Sequence, residues 1–483
     1  SKVTRNGVED VEVVEPLTNY TVARVQKNWK GNTLLGGMVT SVNRALDQPY
    51  LEDFMVRNAF TAGIDFTQYF KNRLYYIDVK GMLSSLHGSA GAITALQNSV
   101  AHYYQRASSA DYLGVDPTRR SLTGTGGYVK VGRKGNAKWN FSETFTWSSP
   151  GFDLNDMGYM KETDYLMNET EIMYRQTDIW KIFRYNAFTL SQKNMWNYGG
   201  TPFSNNASLR WQSMTMNRYE WDVKETFAWN WLDSRLLRGG PDVRFGSYFL
   251  TSAKFNTDKA KRMMFMLKYE GDHNFEGNRF NTISPSLTFR LGNHVYLSGQ
   301  LDYAWNTDEM QYVATTSPLS SSSLAPYYYV MGHMDQKTYG LTLKLQVNVT
   351  PDISIQFYGA PFTSIAKYDD FKLAADTKSH TFENRFQRID PDQLTYADGV
   401  YTIGEGAGQM PFRNPDFRFN EFRSNLVARW EYLPGSTLYF VWEHRMSNRD
   451  NWYSSGWGSN LDRMWGLPAT NTFMIKMNYW FNL

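Results

Sequence analysis

Hydrophobic and polar positions alternate without a break from Phe473 to the end of the chain. One face carries Phe473, Ile475, Met477, Tyr479, Phe481 and Leu483, and the other carries Met474, Lys476, Asn478, Trp480 and Asn482. This period of two is that of a β-strand, whose successive side chains point to opposite faces. Ending a polypeptide on a strand with one lipid-compatible face is typical of bacterial outer-membrane barrels. The pattern predicts a membrane-spanning strand, and an edge strand of a soluble sheet is the alternative.

The same period recurs elsewhere in the chain. Between residues 339 and 349, apolar residues alternate with Gly340, Thr342, Lys344, Gln346 and Asn348. Further alternating runs lie at 263–269, 283–289, 295–301, 353–357 and 422–432. The sequence therefore predicts an all-β fold for residues 1–483, a transmembrane antiparallel outer-membrane β-barrel of roughly 18–22 strands when complete.

Charged residues in the last strands share the face that cannot contact hydrocarbon. Alternation assigns to the lumen Arg423, Arg429, Glu431, Glu443, Arg445 and Lys476. Apart from Lys476, we expect them to form a mixed-charge network across the hairpin at Pro434 and Gly435, with little net field.

Composition agrees with a barrel. The chain has 78 aromatic residues (16 Trp, 32 Tyr and 30 Phe), yet its mean hydropathy is −0.53. No stretch approaches the roughly 20 apolar residues of a spanning helix. The mean hydropathy of a barrel is low because half of the residues in each strand face water. The aromatic content is high because Tyr and Trp gather at the two membrane interfaces. The absence of cysteine fits an envelope protein, and a net charge of +3 implies no nucleic-acid partner.

Turn residues predict short periplasmic turns and longer outer connections. The long connections are expected at roughly 45–56, 88–117, 148–162, 306–327, 365–420 and 447–470. About nineteen strands are counted, the first running inward near residues 20–29. Bacterial single-chain barrels have even strand numbers, so at least one strand is expected before it. The chain opens at Ser1 without a Met or an export signal, which suggests a processed product or part of a longer polypeptide.

Three strings carry a family resemblance: TNYTVARVQKNWKGNTLLGGMVTSVNR, YYYVMGHMDQKTYGLTLKLQVNVTPDISIQFYGAPFTSIAKYDDFK and LVARWEYLPGSTLYFVWEHR. They resemble the C-terminal barrel region of an uncharacterised family of Gram-negative outer-membrane proteins. That family places a domain similar to family 9 carbohydrate-binding modules ahead of the barrel. The resemblance covers most of the chain and implies an architecture, but no known chemistry.

The resemblance also implies missing parts: the binding-like domain and about three barrel strands before Ser1. We therefore expect that this chain cannot close a barrel by itself, because an open strand edge would leave N–H and C=O groups unpaired in hydrocarbon. Strands from the N-terminal part of the same gene product would insert between segments 20–29 and 473–483. Direct pairing of those two segments is the alternative.

No catalytic set is found, so an enzyme is not predicted. The segment His87-Gly88-Ser89-Ala90-Gly91 lacks the G-x-S-x-G spacing of serine hydrolases. The seven histidines show no zinc-binding spacing. Asp390, Asp392 and Asp398 depart from the calcium loop of EF-hands, so neither metal nor cofactor is predicted.

Three outer segments suggest binding. Residues 92–106 place Ile93, Leu96, Val100 and Tyr103 at helical spacing. Trp452, Tyr453, Trp457 and Trp465 offer aromatic surfaces on which sugar rings stack, with a packing role as the alternative. The connection around residues 369–416 is long enough for a plug, lid or docking surface.

These features favour a pore or docking platform for extracellular polymers, with glycans favoured through the resemblance. The alternatives are a non-conducting subunit that anchors partner lipoproteins and, less favoured, a surface hydrolase. Expected partners are outer-membrane lipid or lipopolysaccharide, the N-terminal part of the protein, surface lipoproteins or other outer-membrane subunits, and glycans.

Replacing Trp452, Trp457 and Trp465 together with Ala should abolish polysaccharide or partner binding, because the stacking surfaces are removed. Pull-down with insoluble polysaccharide checks this, with correct barrel assembly of the variant as the control. Unchanged binding by an assembled variant would leave these residues only a packing role.

Overall fold

The computed structural model describes residues 2–5, 8–11, 13, 15–106, 111–319, 327–451 and 457–481. The strands, in chain order, are β1 (Lys2–Arg5), β2 (Val8–Val11), β3 (Thr18–Trp29), β4 (Thr33–Arg44), β5 (Asn58–Phe70), β6 (Tyr75–His87), β7 (Ser121–Arg133), β8 (Trp139–Ser148), β9 (Tyr165–Gln176), β10 (Phe183–Trp196), β11 (Pro202–Thr215), β12 (Glu220–Trp229), β13 (Trp231–Asp233), β14 (Val243–Phe245), β15 (Tyr248–Asn256), β16 (Met263–Asn274), β17 (Arg279–Leu291), β18 (Val295–Thr316), β19 (Tyr328–Asn348), β20 (Ile353–Ala374), β21 (Phe386–Arg388), β22 (Leu394–Ala397), β23 (Val400–Ile403), β24 (Met410–Arg413), β25 (Phe417–Leu433), β26 (Ser436–Asp450) and β27 (Ala469–Asn478).

Helices are few and short. They are α1 (Pro49–Glu52), α2 (Ala90–Gln97) and α3 (Trp457–Trp465), with single 3₁₀ turns at Phe382–Arg385, Pro391–Gln393 and Gly406–Gly408. Among the described residues, no helix has the length and apolar character needed to cross a membrane.

The long strands are those of an antiparallel β-barrel. They are β3 to β12, β15 to β20 and β25 to β27, with the short β21 beside them. Within the described residues, nineteen of these strands have nine or more residues, and β21 pairs only with the end of β20. The all-β barrel prediction is confirmed. The expectation that strands from the N-terminal part of the same gene product complete the barrel stays a prediction.

The chain divides into two compact units. In the first, which contains Ser1–Arg175, Thr189–Ser208 and Ala228–Phe245, β3 to β9 pair in sequence as antiparallel neighbours. In the second, which contains Gln176–Phe188, Leu209–Phe227 and Gly246–Leu483, β15 to β20 and β25 to β27 pair in the same way.

The register of the second unit separates apolar from polar residues. One row across five strands contains Val347, Ile355, Ala428, Phe440 and Ile475, and the next contains Asn348, Ser354, Arg429, Tyr439 and Lys476. Directly opposite residues point to the same face, so each row lies on one side of the sheet. The sheet therefore has an apolar side that suits lipid and a polar side that suits a barrel interior.

The C-terminal strand is shorter than predicted. It ends at Asn478, which pairs with Thr437 near the start of β26. The turn at residues 434–435 leaves no further partner strand, and the Trp480 amide instead donates to the Ser436 hydroxyl at 2.9 Å. Tyr479 and Phe481 therefore lie beyond the strand, and Leu483 lies outside the described residues.

Strands β18, β19 and β20 have 22, 21 and 22 residues, about twice the length that spans a membrane. Their ends form an outer extension with the small sheet β22–β24, around a core that includes Val330, Met334, Phe371, Ile403 and Phe412. Residues 306–316, predicted as loop, are therefore strand. The burial of this core explains why β18 continues to Thr316 and β20 to Ala374.

The predicted helix over residues 92–106 is shorter in the structure. Helix α2 ends at Gln97, and its Leu96 packs against the buried cluster of Val42, Val56, Ala59 and Leu86. Val100 is exposed, while Tyr103 is buried outside the helix with a φ of 46°. The spacing of apolar residues therefore predicted the start of this helix but not its end.

The connection between β8 and β9, residues 149–164, folds onto the polar side of β7, and we call it the inner loop. A Cβ atom at Gly124 would lie 2.1 Å from the Phe152 amide nitrogen, and one at Gly126 would lie 2.4 Å from the Phe152 ring. Both glycines share the face of Tyr128, whose row contains Gln26, Gly36, Asp65 and Lys80. Phe152 can come this close to β7 only because both positions are glycine and have no Cβ atom.

Leu345→Arg should prevent assembly, because a cation on the lipid side costs about 2–4 kcal/mol near the membrane centre. Gln346→Arg, one position along the same strand, should assemble normally, since its side chain points inward. Assembly is measured as the fraction of protein that shows the heat-modifiable mobility of folded barrels in gel electrophoresis. Equal fractions for both variants would refute this register.

Gly124→Ala should lower the free energy of unfolding by about 1–3 kcal/mol, as overpacking usually does. The added methyl group would collide with the inner loop, so protease cleavage within residues 149–164 should also become faster. Gly114→Ala is the matched control, because nothing lies within 4 Å of a Cβ there. A thermal midpoint equal to that of the control would contradict the close approach.

Candidate functional site

The polar side of the first unit carries an ion pair between two strands that are separated by a third. Arg24 of β3 donates to the Asp65 carboxylate of β5 at 3.1 Å, across the intervening β4. The pair fits because the residue between them is Gly36, where a Cβ would lie 2.5 Å from an Asp65 oxygen. The Arg24 side chain is 47% exposed and that of Asp65 15% exposed, so water reaches this wall.

A second polar group lies on β5, β6 and β7. The Thr67 hydroxyl donates to the Asp78 carboxylate at 3.1 Å, and the Tyr128 hydroxyl donates to it at 3.0 Å. The Lys80 ammonium lies 5.5 Å from the centroid of the same tyrosine ring, within the range of a cation–π interaction. Tyr128 therefore contacts both an acidic and a basic side chain of β6.

Buried polar contacts fix the inner loop to the barrel. The Asp153 backbone amide donates to the Ser84 hydroxyl at 2.9 Å. Its carboxylate lies 2.9 Å from His102 Nε2, and His102 Nδ1 lies 2.8 Å from the Pro150 carbonyl oxygen. Asp156 accepts from Arg44 at 2.6 Å. These contacts hold the inner loop in one position.

A cavity of about 420 Å³ separates the inner loop from the wall of β3 to β6. Its polar lining includes the Arg24–Asp65 pair, Asp78 and Lys80, together with Gln26 and the hydroxyls of three threonines, Thr40, Thr61 and Thr67. Its apolar lining comes from Met38 and Met82 on the wall and from Leu154 and Met157 on the inner loop. The cavity therefore offers both hydrogen-bonding groups and an apolar surface.

A buried cluster joins several outer connections of the first unit. Asp164, whose φ is 62°, accepts from Arg106 and from the Tyr112 hydroxyl, each at 2.6 Å. Burial and the hydrogen bond to Asp164 raise the pKa of Tyr112, and burial raises the pKa of Tyr104 to about 12. Both phenols thus stay neutral, and the cluster serves to hold the connections together.

In the second unit, the predicted interior charges share one side of the sheet. Arg423 and Arg445 are directly opposite, and both pair with Glu421, at 2.8 and 2.9 Å. Arg429 pairs with Glu431 at 2.5 Å. The structure thus brings these residues together as two separate groups, and Glu421, which sequence reasoning missed, holds the first one.

The other two predicted charges lie nearby on the same side. Lys476 is 5.9 Å from the ring centroid of Tyr439, and Glu443 faces Asn425 and Thr472 across the strands. The register places all the charged residues that were assigned to the lumen on one face of the sheet. That this face lines the lumen remains a prediction.

The aromatic binding surface predicted from the sequence is described only in part. Trp452 and Tyr453 lie outside the described residues, and Trp457 begins helix α3. Trp465 ends this helix, is 56% exposed and packs edge-on against Phe422 at 4.8 Å. Trp465 therefore packs against a neighbouring ring and still exposes part of its own ring to solvent.

The described residues contain no group of three or more histidine, aspartate or glutamate side chains placed to hold a metal ion. The inner loop and its cavity were not anticipated from the sequence. The sequence pattern alone could have placed Arg24, Asp65, Asp78 and Lys80 on one side of the sheet. It could not have shown that the inner loop approaches them.

The comparisons with known proteins give weak structural similarities. The siderophore receptor PirA from Acinetobacter baumannii matches with 9% identity over 97% of this chain and 74% of that chain, at a TM-score of 0.37. A mutant of the ferric enterobactin receptor PfeA from Pseudomonas aeruginosa matches with 9% identity over 92% and 72%, at a TM-score of 0.40. No curated protein matches.

A family model described as a domain of unknown function, DUF5916, matches residues 2–483. The match spans almost the whole barrel, from the hairpin before β3 to the residues after β27. This chain, an antiparallel β-barrel, therefore belongs to the DUF5916 family.

Proposed function

We propose that this barrel is an uptake pore for neutral, polar solutes, with saccharides from extracellular glycans as the preferred class. The observation that carries the proposal is the pairing of charges along the polar side. Arg24 pairs with Asp65, Arg429 pairs with Glu431, and Glu421 joins Arg423 and Arg445. Each unit thus carries charges of both signs close together.

Paired charges favour uncharged solutes. Pores that select ions carry rings of a single sign, which raise the local concentration of the opposite ion. Ion pairs at 2.5–3.1 Å largely cancel each other's field beyond their own neighbourhood. They still provide hydrogen-bond donors and acceptors to hydroxyl groups, which suits neutral polar solutes.

Exposure of the polar side supports a pore over a plugged barrel. In the first unit, nearly every residue of β3 is exposed, on both faces. In the second unit, every residue of β27 is exposed, including Met474 and Lys476 on its polar side. The polar side of β27 is therefore open, whereas Arg24 and Gln26 of β3 face the inner loop across the cavity.

A second candidate is a surface scaffold that anchors lipoproteins or other outer-membrane subunits. The ordered outer extension of β18–β20 favours it, because this region buries its own core beyond the membrane. Tyr396 on β22 is exposed there. Glycans, an N-terminal segment of the same protein and surface lipoproteins are the partners we propose for this surface, while lipid contacts the apolar side.

Single-channel recording of the purified protein in a planar bilayer distinguishes the two candidates. A pore gives stepwise conductance that neutral sugars reduce. A protein that inserts fully but conducts nothing is a scaffold, and the uptake proposal fails.

Breaking the Arg24–Asp65 pair should change ion selectivity in opposite directions. Asp65→Asn leaves Arg24 uncompensated and should favour anions, whereas Arg24→Gln should favour cations. One unpaired charge acts on an ion 4 Å away with about 1 kcal/mol in water, enough to change the local ion ratio severalfold. The measurement is the reversal potential in a KCl gradient.

Lys27→Gln is the matched control for these variants. Lys27 lies on β3 like Arg24, but three positions further and therefore on the lipid side. It should leave the reversal potential unchanged. Identical reversal potentials in Asp65→Asn and Arg24→Gln would show that this pair does not line the conducting path.

A further inference from the structure

We infer that the cavity between the inner loop and the wall of β3–β6 is a binding site for a neutral saccharide of about one or two rings. This inference rests on the proposed uptake function and names the site and the ligand class within it. The site belongs wholly to the first unit, since every lining residue lies between Arg24 and Gly158.

The size of the cavity suits a small molecule. Its volume of about 420 Å³ lies within the roughly 300–1,000 Å³ of small-molecule sites. Such sites combine apolar surface with a few polar groups that orient the ligand. The inner loop supplies one wall and the strands supply the other, so the ligand would be enclosed between them.

The charges around the cavity have close partners and balance in sign, with Arg24 and Lys80 against Asp65 and Asp78. Asp65 accepts from Arg24, and Asp78 accepts from Thr67 and Tyr128. An ionic ligand would have to disturb one of these contacts and add a net charge to a balanced site. A neutral ligand leaves them intact and can still bond to their remaining lone pairs and N–H groups.

The apolar lining excludes a ligand that is polar on every side. Met38, Met82, Leu154 and Met157 form a flexible apolar surface, and methionine adapts readily to irregular shapes. A purely apolar ligand is equally unsuited, because it would strip water from Arg24, Asp65 and the threonine hydroxyls without replacing their hydrogen bonds. A pyranose ring has hydroxyls at its edge and C–H groups on its faces, so it satisfies both surfaces.

The site is formed before the ligand arrives. Asp153 and Asp156 tie the inner loop to His102 and Arg44, and Phe152 is seated over Gly124 and Gly126. Leu154 and Met157 are therefore held in place between fixed points. A preformed wall spares the ligand the entropy cost of ordering the loop.

The absence of cysteine allows a direct test, because any introduced thiol is unique. Thr61→Cys places a thiol in the cavity lining, and Thr144→Cys places one on the polar side of β8, outside the cavity. Both threonines are half-buried, so the two positions are matched. The folded proteins are labelled with a methanethiosulfonate reagent, with and without maltose.

Maltose at about ten times its dissociation constant should slow labelling of Thr61→Cys about tenfold, because occupancy reduces the free fraction by 1 + [L]/Kd. Labelling of Thr144→Cys should not change. Adding Leu154→Ser and Met157→Ser to Thr61→Cys should abolish the protection, while heat-modifiable mobility verifies that this variant is folded. Protection that persists without the apolar wall would overturn the assignment of the inner loop to the site.

Two further results would overturn the inference. Protection of Thr61→Cys by the zwitterion alanyl-alanine but not by maltose would exclude a neutral saccharide. No protection by maltose at any concentration, in a barrel whose conductance is intact, would refute the site while leaving the pore. Protection by maltose in a barrel that does not conduct would support the site and refute the uptake function.

Discussion

The constraint on which this structure depends is that hydrocarbon leaves no backbone polar group without a partner. Strands that span a membrane must therefore pair on both sides, and an unpaired edge costs several kcal/mol for each exposed group. Within each unit, the long strands β3 to β9, β15 to β20 and β25 to β27 pair with their neighbours along the chain, which meets this requirement between them. Once the strands are paired, the period of two divides every residue between a lipid side and an interior side.

The arrangement of groups on the polar side then depends on contacts between residues of different strands and loops. Gly36 makes room for the Arg24–Asp65 pair, and Gly124 and Gly126 make room for the inner loop. At both places, the missing side chain allows a group from elsewhere in the sequence to approach the wall. The glycines therefore determine where the interior is lined by ion pairs and where it is narrowed by a loop.

Charge pairing links this architecture to the proposed transport of neutral solutes. Buried or half-buried charges are stable only when their partners are near, and here the partners lie on the same or nearby strands. The same pairing that makes the charges tolerable also reduces their long-range field. A wall built in this way offers hydrogen bonds to a passing hydroxyl group without attracting ions of one sign.

The sequence by itself determined the fold class, the two faces of the strands and most of the turns. Alternation is local, so the common face of Arg423, Arg429 and Lys476 could be read from their spacing alone. The approximate strand number also followed from turn residues.

Only the tertiary structure decided the rest. The inner loop is placed by Asp153 and His102, which are 51 residues apart, and no periodicity encodes such a contact. The length of β18–β20 depends on the core shared with β22–β24, and the end of β27 depends on where β26 begins. Each of these features depends on a partner distant in sequence, whereas the faces of a strand depend only on its own residues.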